Sequence, residues 1–288
     1  MIKQLILSKF TAFESLDLEF SPGVNIFIGE NDTGKTHILK VIYSACDITS
    51  SKKSFAEKLV KVFLPSAEQP GRLVKRAAGD ATGSVELYRL LPETGQSINI
   101  KLSMTRLLKK TDEAVLSGAH KQWLKNPLKS VYVPVKDMLA NAPGFIAMYE
   151  KHDLHFEEVY PDILYRAFWP LLRDPIDDSR QQCLEMLQTL MGGFIEQQGE
   201  EFFLNRKRGV IEFTLLAEGF RKLALLWLLI QNGTLSDGAV LCWDEPETNL
   251  NPRMMQPVVK ILIGLQRLGV QIFLSTHNYV ILKEFDLQ

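Results

Sequence analysis

The stretch Ile28–Lys40, IGENDTGKTHILK, constrains this chain more than any other. Gly29, Gly34, Lys35 and Thr36 satisfy the pattern G-x-x-x-x-G-K-S/T. Val24–Ile28 before it reads as a short buried strand. After it, Ile38, Leu39, Val41, Ile42 and Ala45 recur at helical spacing. A strand, a glycine-rich turn and a helix in that order make an anion cradle. Backbone N–H groups of Gly29, Glu30, Asn31, Asp32, Thr33 and Gly34 would surround a nucleotide's phosphates, with the positive end of the helix behind them. Lys35 would reach the terminal phosphates, and the Thr36 hydroxyl would ligate magnesium. Asp32 is the odd member, an acid where a polyanion should sit. Its short polar side chain tolerates left-handed backbone and can face solvent while the amides face the phosphates, so it need not touch the ligand.

Three further stretches fall into line with the first. In AVLCWDEPETNLNP, 239–252, apolar residues run into Asp244-Glu245, which places two carboxylates at the carboxyl end of a buried parallel strand. Asp244 would hold magnesium through water, and Glu245 would orient and polarise an attacking water. Gln271–Thr276 reads as the next strand, and His277 after it would lie at the same rim, able to donate to a γ-phosphate. LLAEGFRKLALLWLL, 215–229, opens a helix about 25 residues before the acidic pair, a place from which a helix start can face a nucleotide on a second subunit. His37, inside the first helix, reads as structural.

The rest of the chain gives architecture rather than chemistry. Residues 2–8 and 16–20 read as strands, and 84–91 with 97–103 as a hairpin around Pro92-Glu93-Thr94-Gly95. Between 50 and 82 the Pro-, Gly- and Lys-rich sequence shows no clear period. From 104 to 199 the composition turns helical and polar, interrupted by the β-like VYVPV at 131–135 and by Pro170 and Pro175, so a long coiled coil is not expected. A second hairpin is expected at 201–205 and 210–214.

The net charge of −1 is unevenly spread: −2 over 1–50, +8 over 51–130 and −7 over 131–288. The basic segment, with Lys52, Lys53, Arg72, Lys75, Arg76, Lys109, Lys110 and Lys121, could meet DNA or an acidic partner, or be no more than a solvated face. Cys46, Cys183 and Cys242 are odd in number and far apart, which suggests neither a disulfide framework nor a zinc site. No run of 18 uncharged apolar residues and no cleavable leader is evident, so the expectation is a cytoplasmic protein with no membrane role.

In this order, the four motifs resemble the ABC-type ATPase heads of the SMC, RecF and overcoming-lysogenization-defect (OLD) group. The opening LILSKFTAFESLDLEFSPGVNIFIGENDTGKT looks especially like that group's start. The resemblance covers roughly 1–45 and 200–285. It implies an α/β P-loop NTPase with a mixed central sheet, an antiparallel β subdomain and a helical insertion, divided as 1–103 with 200–288 for the head and 104–199 for the insertion. It implies ATP and Mg2+ as cofactors, slow ATP hydrolysis, and a homodimer or higher homo-oligomer closed through an ATP sandwich.

By the same resemblance Leu216-Ala217-Glu218-Gly219 is the signature that meets ATP on the partner subunit, Asn249-Leu250-Asn251 the D-loop and His277 the switch histidine. Ala217 stands where many members carry serine, so one hydroxyl is lost, and Gly219 N–H, Arg221 or Lys222 are candidates to compensate. Lys136 or Asp137 for the Q-loop, and Phe10 or Phe13 against the base, are further candidates. Only 11 residues follow His277, fewer than such heads carry, which points to a shortened C-terminus or a part lying outside the chain.

A transporter ATPase does not need the 184 residues from Lys35 to Gly219, and a small-molecule kinase needs neither the Asp-Glu-Pro turn nor the histidine. Two readings remain open. One is an ATPase working in DNA metabolism or antiviral defence beside a nuclease or toxin effector. The other is a non-catalytic nucleotide-gated module that recruits such an effector.

Overall fold

The computed structural model describes residues 1–76, 81–152, 154–172 and 177–288; Pro175, expected to interrupt a helix, lies outside them. The central sheet is four-stranded and parallel, in the order β3 (Val24–Ile28), β12 (Gln271–Thr276), β11 (Val240–Asp244), β7 (Ser130–Val133). The antiparallel strands stand apart from it in a five-stranded sheet: β2 (Phe13–Glu19), β1 (Ile2–Phe10), β4 (Thr82–Leu90), β5 (Ser97–Thr105) and β6 (Val115–Gly118), in that spatial order. A third, three-stranded antiparallel sheet joins β8 (Gly193–Gln198), β9 (Glu201–Arg206) and β10 (Gly209–Glu212).

Side-chain alternation along the parallel strands divides the interior in two. Val131 and Val133 of β7, Leu241 and Trp243 of β11, and Ile272 and Leu274 of β12 face one core. It is filled from α5 (Val159–Ala167), α6 (Asp178–Met191), α7 (Glu218–Gln231), α8 (Met255–Arg267) and α9 (Tyr279–Asp286). Tyr132, Val240, Cys242 and Phe273, one residue out of step, face the other core. There α1 (Lys35–Asp47) packs between the parallel sheet and β4 of the antiparallel one, with α2 (Phe55–Phe63) against α1, and the two sheets meet directly where Ile2 N donates to Gln271 Oε1 at 2.8 Å. The first turn of α1 is thereby fixed at the carboxyl ends of the parallel strands, with Ile38, Leu39, Val41, Ile42 and Ala45 buried beneath it. Each of the isoleucine, leucine and valine side chains contributes about 1.5–3 kcal/mol by leaving water.

The hairpins expected at 84–103 and 201–214 form as β4–β5 and β9–β10. Several elements escape the sequence reading, among them β6 within the span expected to be helical and α9 after His277. α2 lies in the stretch without a clear period, yet Ser54 and Glu57 cap it reciprocally, Glu57 N donating to Ser54 Oγ at 3.2 Å and Ser54 N to Glu57 Oε2 at 2.7 Å. β8 lies inside the span expected to be helical. The rest of 104–199 does not build a separate core either. β7 is a strand of the central sheet, and α5 and α6 bury Ile163, Leu164, Cys183 and Leu187 in the same core as α7 and α8. The short α4 (Phe145–His152) packs on that core through Phe145 and Ile146, while α3 (His120–Lys125) belongs to the other one, anchored by the buried Trp123, whose Nε1 donates to Ala45 O at 2.7 Å.

The basic segment is less available than its charge suggests. Lys58 is fully buried and paired with Asp47, Glu158 and Asp162. Arg89 is buried with its guanidinium on the carbonyls of Trp123 and Asn126, and Lys53 is paired with Glu158. No helix among the described residues is long and apolar enough to cross a membrane.

Candidate functional site

The loop between β3 and α1 has the backbone its sequence demands. Gly34 takes φ +89°, and a Cβ there would meet the Phe13 ring at 2.5 Å, so only glycine fits. Asp32 takes φ 63°, the left-handed geometry its type tolerates, and is exposed along with Glu30, Asn31 and Thr33. Lys35 Nζ folds back onto the loop, donating to Gly29 O at 2.8 Å and Glu30 O at 2.5 Å. His37 stays out of this cradle, its ring 5.4 Å from Phe63, and burial pushes its imidazole below the ordinary range.

Asp244 is the node that joins the motifs. It ends β11, buried, and its Oδ1 accepts the Thr36 hydroxyl at 3.1 Å and the Ser275 hydroxyl, while Oδ2 accepts the Tyr132 hydroxyl at 3.0 Å. Burial, then the neighbouring Asp244 carboxylate, pushes the Tyr132 phenol well up, so it remains a donor. The resulting cluster offers oxygen atoms alone, from one carboxylate and hydroxyls on three strands or helices. That donor set suits a hard divalent cation of the Mg2+ kind and fits the group that Thr36 and Asp244 are expected to hold. Tyr132 and Ser275 were not among the expected site residues. Their signal was the placement of a hydroxyl side chain at or near the end of each strand flanking β11.

Beyond Asp244 the chain turns sharply. Glu245 takes φ 47°, its N–H donates to Ser275 O at 3.0 Å, and its Oε2 accepts the Thr248 hydroxyl at 3.0 Å. His277, half-exposed, brings Nδ1 to 3.4 Å from Glu245 Oε1. Lys35, Thr36, Asp244, Glu245 and His277 thus gather at the carboxyl ends of adjacent strands, where open α/β sheets present ligand sites.

The residues that the resemblance assigns to the signature and the D-loop meet each other. Gly219, in the first turn of α7, packs so closely on the Asn249 turn that a Cβ would sit 2.6 Å from Asn249 O, and Asn249 Nδ2 donates to Glu218 Oε2 at 2.7 Å. Two expectations fail here. Arg221 is held by Asp137 at 2.7 Å and by the carbonyls of Phe213 and Leu216, and Lys222 is buried with Nζ on Thr248 O at 2.9 Å, so neither is free to replace the missing serine hydroxyl. Asp137 is itself committed, accepting from Leu139 N and Arg221, while Lys136 is exposed. Phe10 is fully buried against Phe63 and cannot meet a base, whereas Phe13 lies on the phosphate loop at Gly34.

Comparison with known proteins bears on the family and the fold. A family model described as "AAA domain, putative AbiEii toxin, Type IV TA system" matches residues 24–283. The DNA replication and repair protein RecF of Listeria welshimeri is 35% identical over 75 residues, 26% of this chain and 20% of that protein. RecF of Streptococcus uberis is 32% identical over 107 residues, 37% of this chain and 28% of that protein. The matched stretch therefore spans less than a third of either relative. Among solved structures, an Smc head bound to the C-terminal winged-helix domain of ScpA superposes with a TM-score of 0.64 at 14% identity, covering 98% of this chain and 91% of that one. The SMC head domain from Thermotoga maritima gives 0.55 at 15% identity, covering 99% and 92%. Likeness at such identity is a likeness of fold.

Proposed function

Because this chain belongs to that AAA-domain family and has the ABC-type head of the SMC and RecF group, we propose that it binds and slowly hydrolyses ATP with Mg2+, closing as a homodimer or higher homo-oligomer around the nucleotide. The observation that carries the reading is the 3.1 Å contact between Thr36 Oγ1 and Asp244 Oδ1, which joins two motifs 208 residues apart. The loop amides of 29–34 bind the phosphates and Lys35 neutralises the terminal ones. Thr36 and Asp244 hold the cation, which when bound offsets charge on the phosphate oxygens. Glu245 accepts a proton from the attacking water, and His277 donates to the terminal phosphate. The exposed Asn249, with Gly219 buried beneath its turn, and Leu215, which is 76% exposed, belong to the face offered to the second subunit.

The test is steady-state phosphate release. Hydrolysis requires magnesium, rises more than linearly with protein concentration and is abolished by Lys35→Ala. Activity independent of protein concentration would remove the composite site. A second reading, a nucleotide-gated module with incidental turnover, is supported by Ala217 and by the commitment of Arg221 and Lys222 to their own chain. It predicts ATP-dependent assembly without multiple turnover.

Work on DNA or in antiviral defence, beside a nuclease or toxin effector, is the wider role we propose. The exposed part of the basic segment supports a DNA contact, and binding to duplex DNA should fall steeply with salt. No gel shift at low salt with ATP present would transfer that role to a protein partner.

A further inference from the structure

Two side chains touch the carboxylate of Glu245. His277 Nδ1 lies 3.4 Å from Oε1, and Thr248 Oγ1 donates to Oε2 at 3.0 Å. The two contacts differ in what stands behind them. The His277 ring is half-exposed, and a ring that turns to a terminal phosphate leaves Oε1. Thr248 has no such freedom. Its N–H donates to Glu245 O at 3.1 Å, closing the turn, and its carbonyl accepts Lys222 Nζ of α7 at 2.9 Å.

The turn that carries Thr248 is held from both sides. On the sheet side, the buried Glu247 accepts the Thr276 hydroxyl on Oε1 at 2.6 Å. On the helix side, Asn249 Nδ2 donates to Glu218 Oε2 at 2.7 Å, and Lys222 is 1% exposed, with the carboxylates of Glu218, Glu247, Glu245 and Asp137 around its ammonium. Glu245 itself stands at φ 47°, a strained backbone that persists only where its surroundings over-determine it. A base must also point at its water, and a free carboxylate rotates about its side-chain bonds. Resting on the reading of Glu245 as the base, we propose that Thr248 is a positioning residue for it. The Thr248 hydroxyl sets the direction of the carboxylate, and the Thr248 carbonyl ties that direction to α7, whose first turn is read as facing the second subunit.

The experiment compares wild type, Thr248→Val, Thr248→Ser and Glu245→Gln in the full chain with ATP and magnesium, following phosphate release and light scattering together. Valine keeps the shape of threonine and removes the hydroxyl, whereas serine keeps the hydroxyl. Thr248→Val lowers kcat about 10- to 100-fold, the scale of a lost hydrogen bond to a charged group or a misplaced catalytic one. Its KM for ATP is unchanged, its ATP-bound dimer persists longer than that of wild type, and Thr248→Ser recovers most of the lost rate. A Thr248→Val rate equal to wild type overturns the proposal. So does a joint loss of rate and dimer, the result expected of a threonine that only shapes the partner-facing turn. Failure of the base reading has a different signature. Glu245→Gln then hydrolyses at the wild-type rate, and the base and its positioning residue fall together. A slow Glu245→Gln beside a normal Thr248→Val removes the positioning role alone.

Discussion

At the scale of single residues, the phosphate loop separates positions that carry geometry from positions that carry chemistry. Gly34 is geometric: an alanine there would combine φ +89° with a 2.5 Å approach to the Phe13 ring. Strain of this kind costs about 1–3 kcal/mol, and we expect Gly34→Ala to weaken ATP binding at least tenfold in an equilibrium titration. Asp32 is the opposite case. Its left-handed φ of 63° suits glycine better than aspartate, and its charge opposes a polyanion. Asp32→Gly should therefore bind ATP as tightly or more tightly, and markedly weaker binding in the same titration would show that the carboxylate has a role in the site.

At the scale of elements, helices are locked together by one tight contact and one buried charge cluster. Gly264 of α8 lies against α6 so that a Cβ would sit 2.6 Å from Cys183 Sγ. Gly264→Ala should destabilise the fold by about 1–3 kcal/mol through overpacking, and adding Cys183→Ala should recover most of that loss in urea unfolding. Across the molecule, α1, α2 and α5 meet where Lys58 pairs with Asp47 and Asp162, and with Glu158 just before α5, while Arg166 also pairs with Asp47. Removing one partner of such a buried cluster leaves charge uncompensated, so Lys58→Met should cost about 3–5 kcal/mol.

The same cluster makes stability depend on acid. Burial alone would raise the Asp47 carboxyl, but Lys58 and Arg166 reverse this and hold it below its ordinary 3.8. Its contribution is complete above 3.8 and is lost as pH falls through the lower folded-state value. Burial pushes the Asp162 carboxyl the other way, so its protonation opposes that loss. The stability gap between wild type and Asp47→Asn in urea titrations should close as the pH drops below 3.8.

For the whole molecule, catalysis and assembly are predicted to be one event. Glu245→Gln removes the base but leaves the phosphate loop and the Thr36–Asp244 contact intact. It should trap an ATP-bound dimer that is visible by light scattering at concentrations where wild type remains monomeric. A variant that stays monomeric with ATP, or hydrolyses at the wild-type rate, would contradict the shared site.

Periodicity and motif spacing were enough to read β3, the loop, α1, the Asp244-Glu245 turn and β12, because each is a local pattern whose backbone geometry its own residues dictate. They also implied that the motifs share one rim, since parallel strands joined by helices bring their carboxyl ends together. The α2 helix went unread: its Ser54-x-x-Glu57 cap was the available signal, but the surrounding lysines and prolines hid its apolar stripe. What no local pattern held were the long-range partners. The hydroxyls of Tyr132 and Ser275 on Asp244, the carboxylate of Glu247 beneath His277, and the capture of Arg221 and Lys222 by their own chain all join residues many positions apart. Strand order and helix packing set those distances, so tertiary structure alone decided which polar groups are free to meet a ligand and which are committed to the fold.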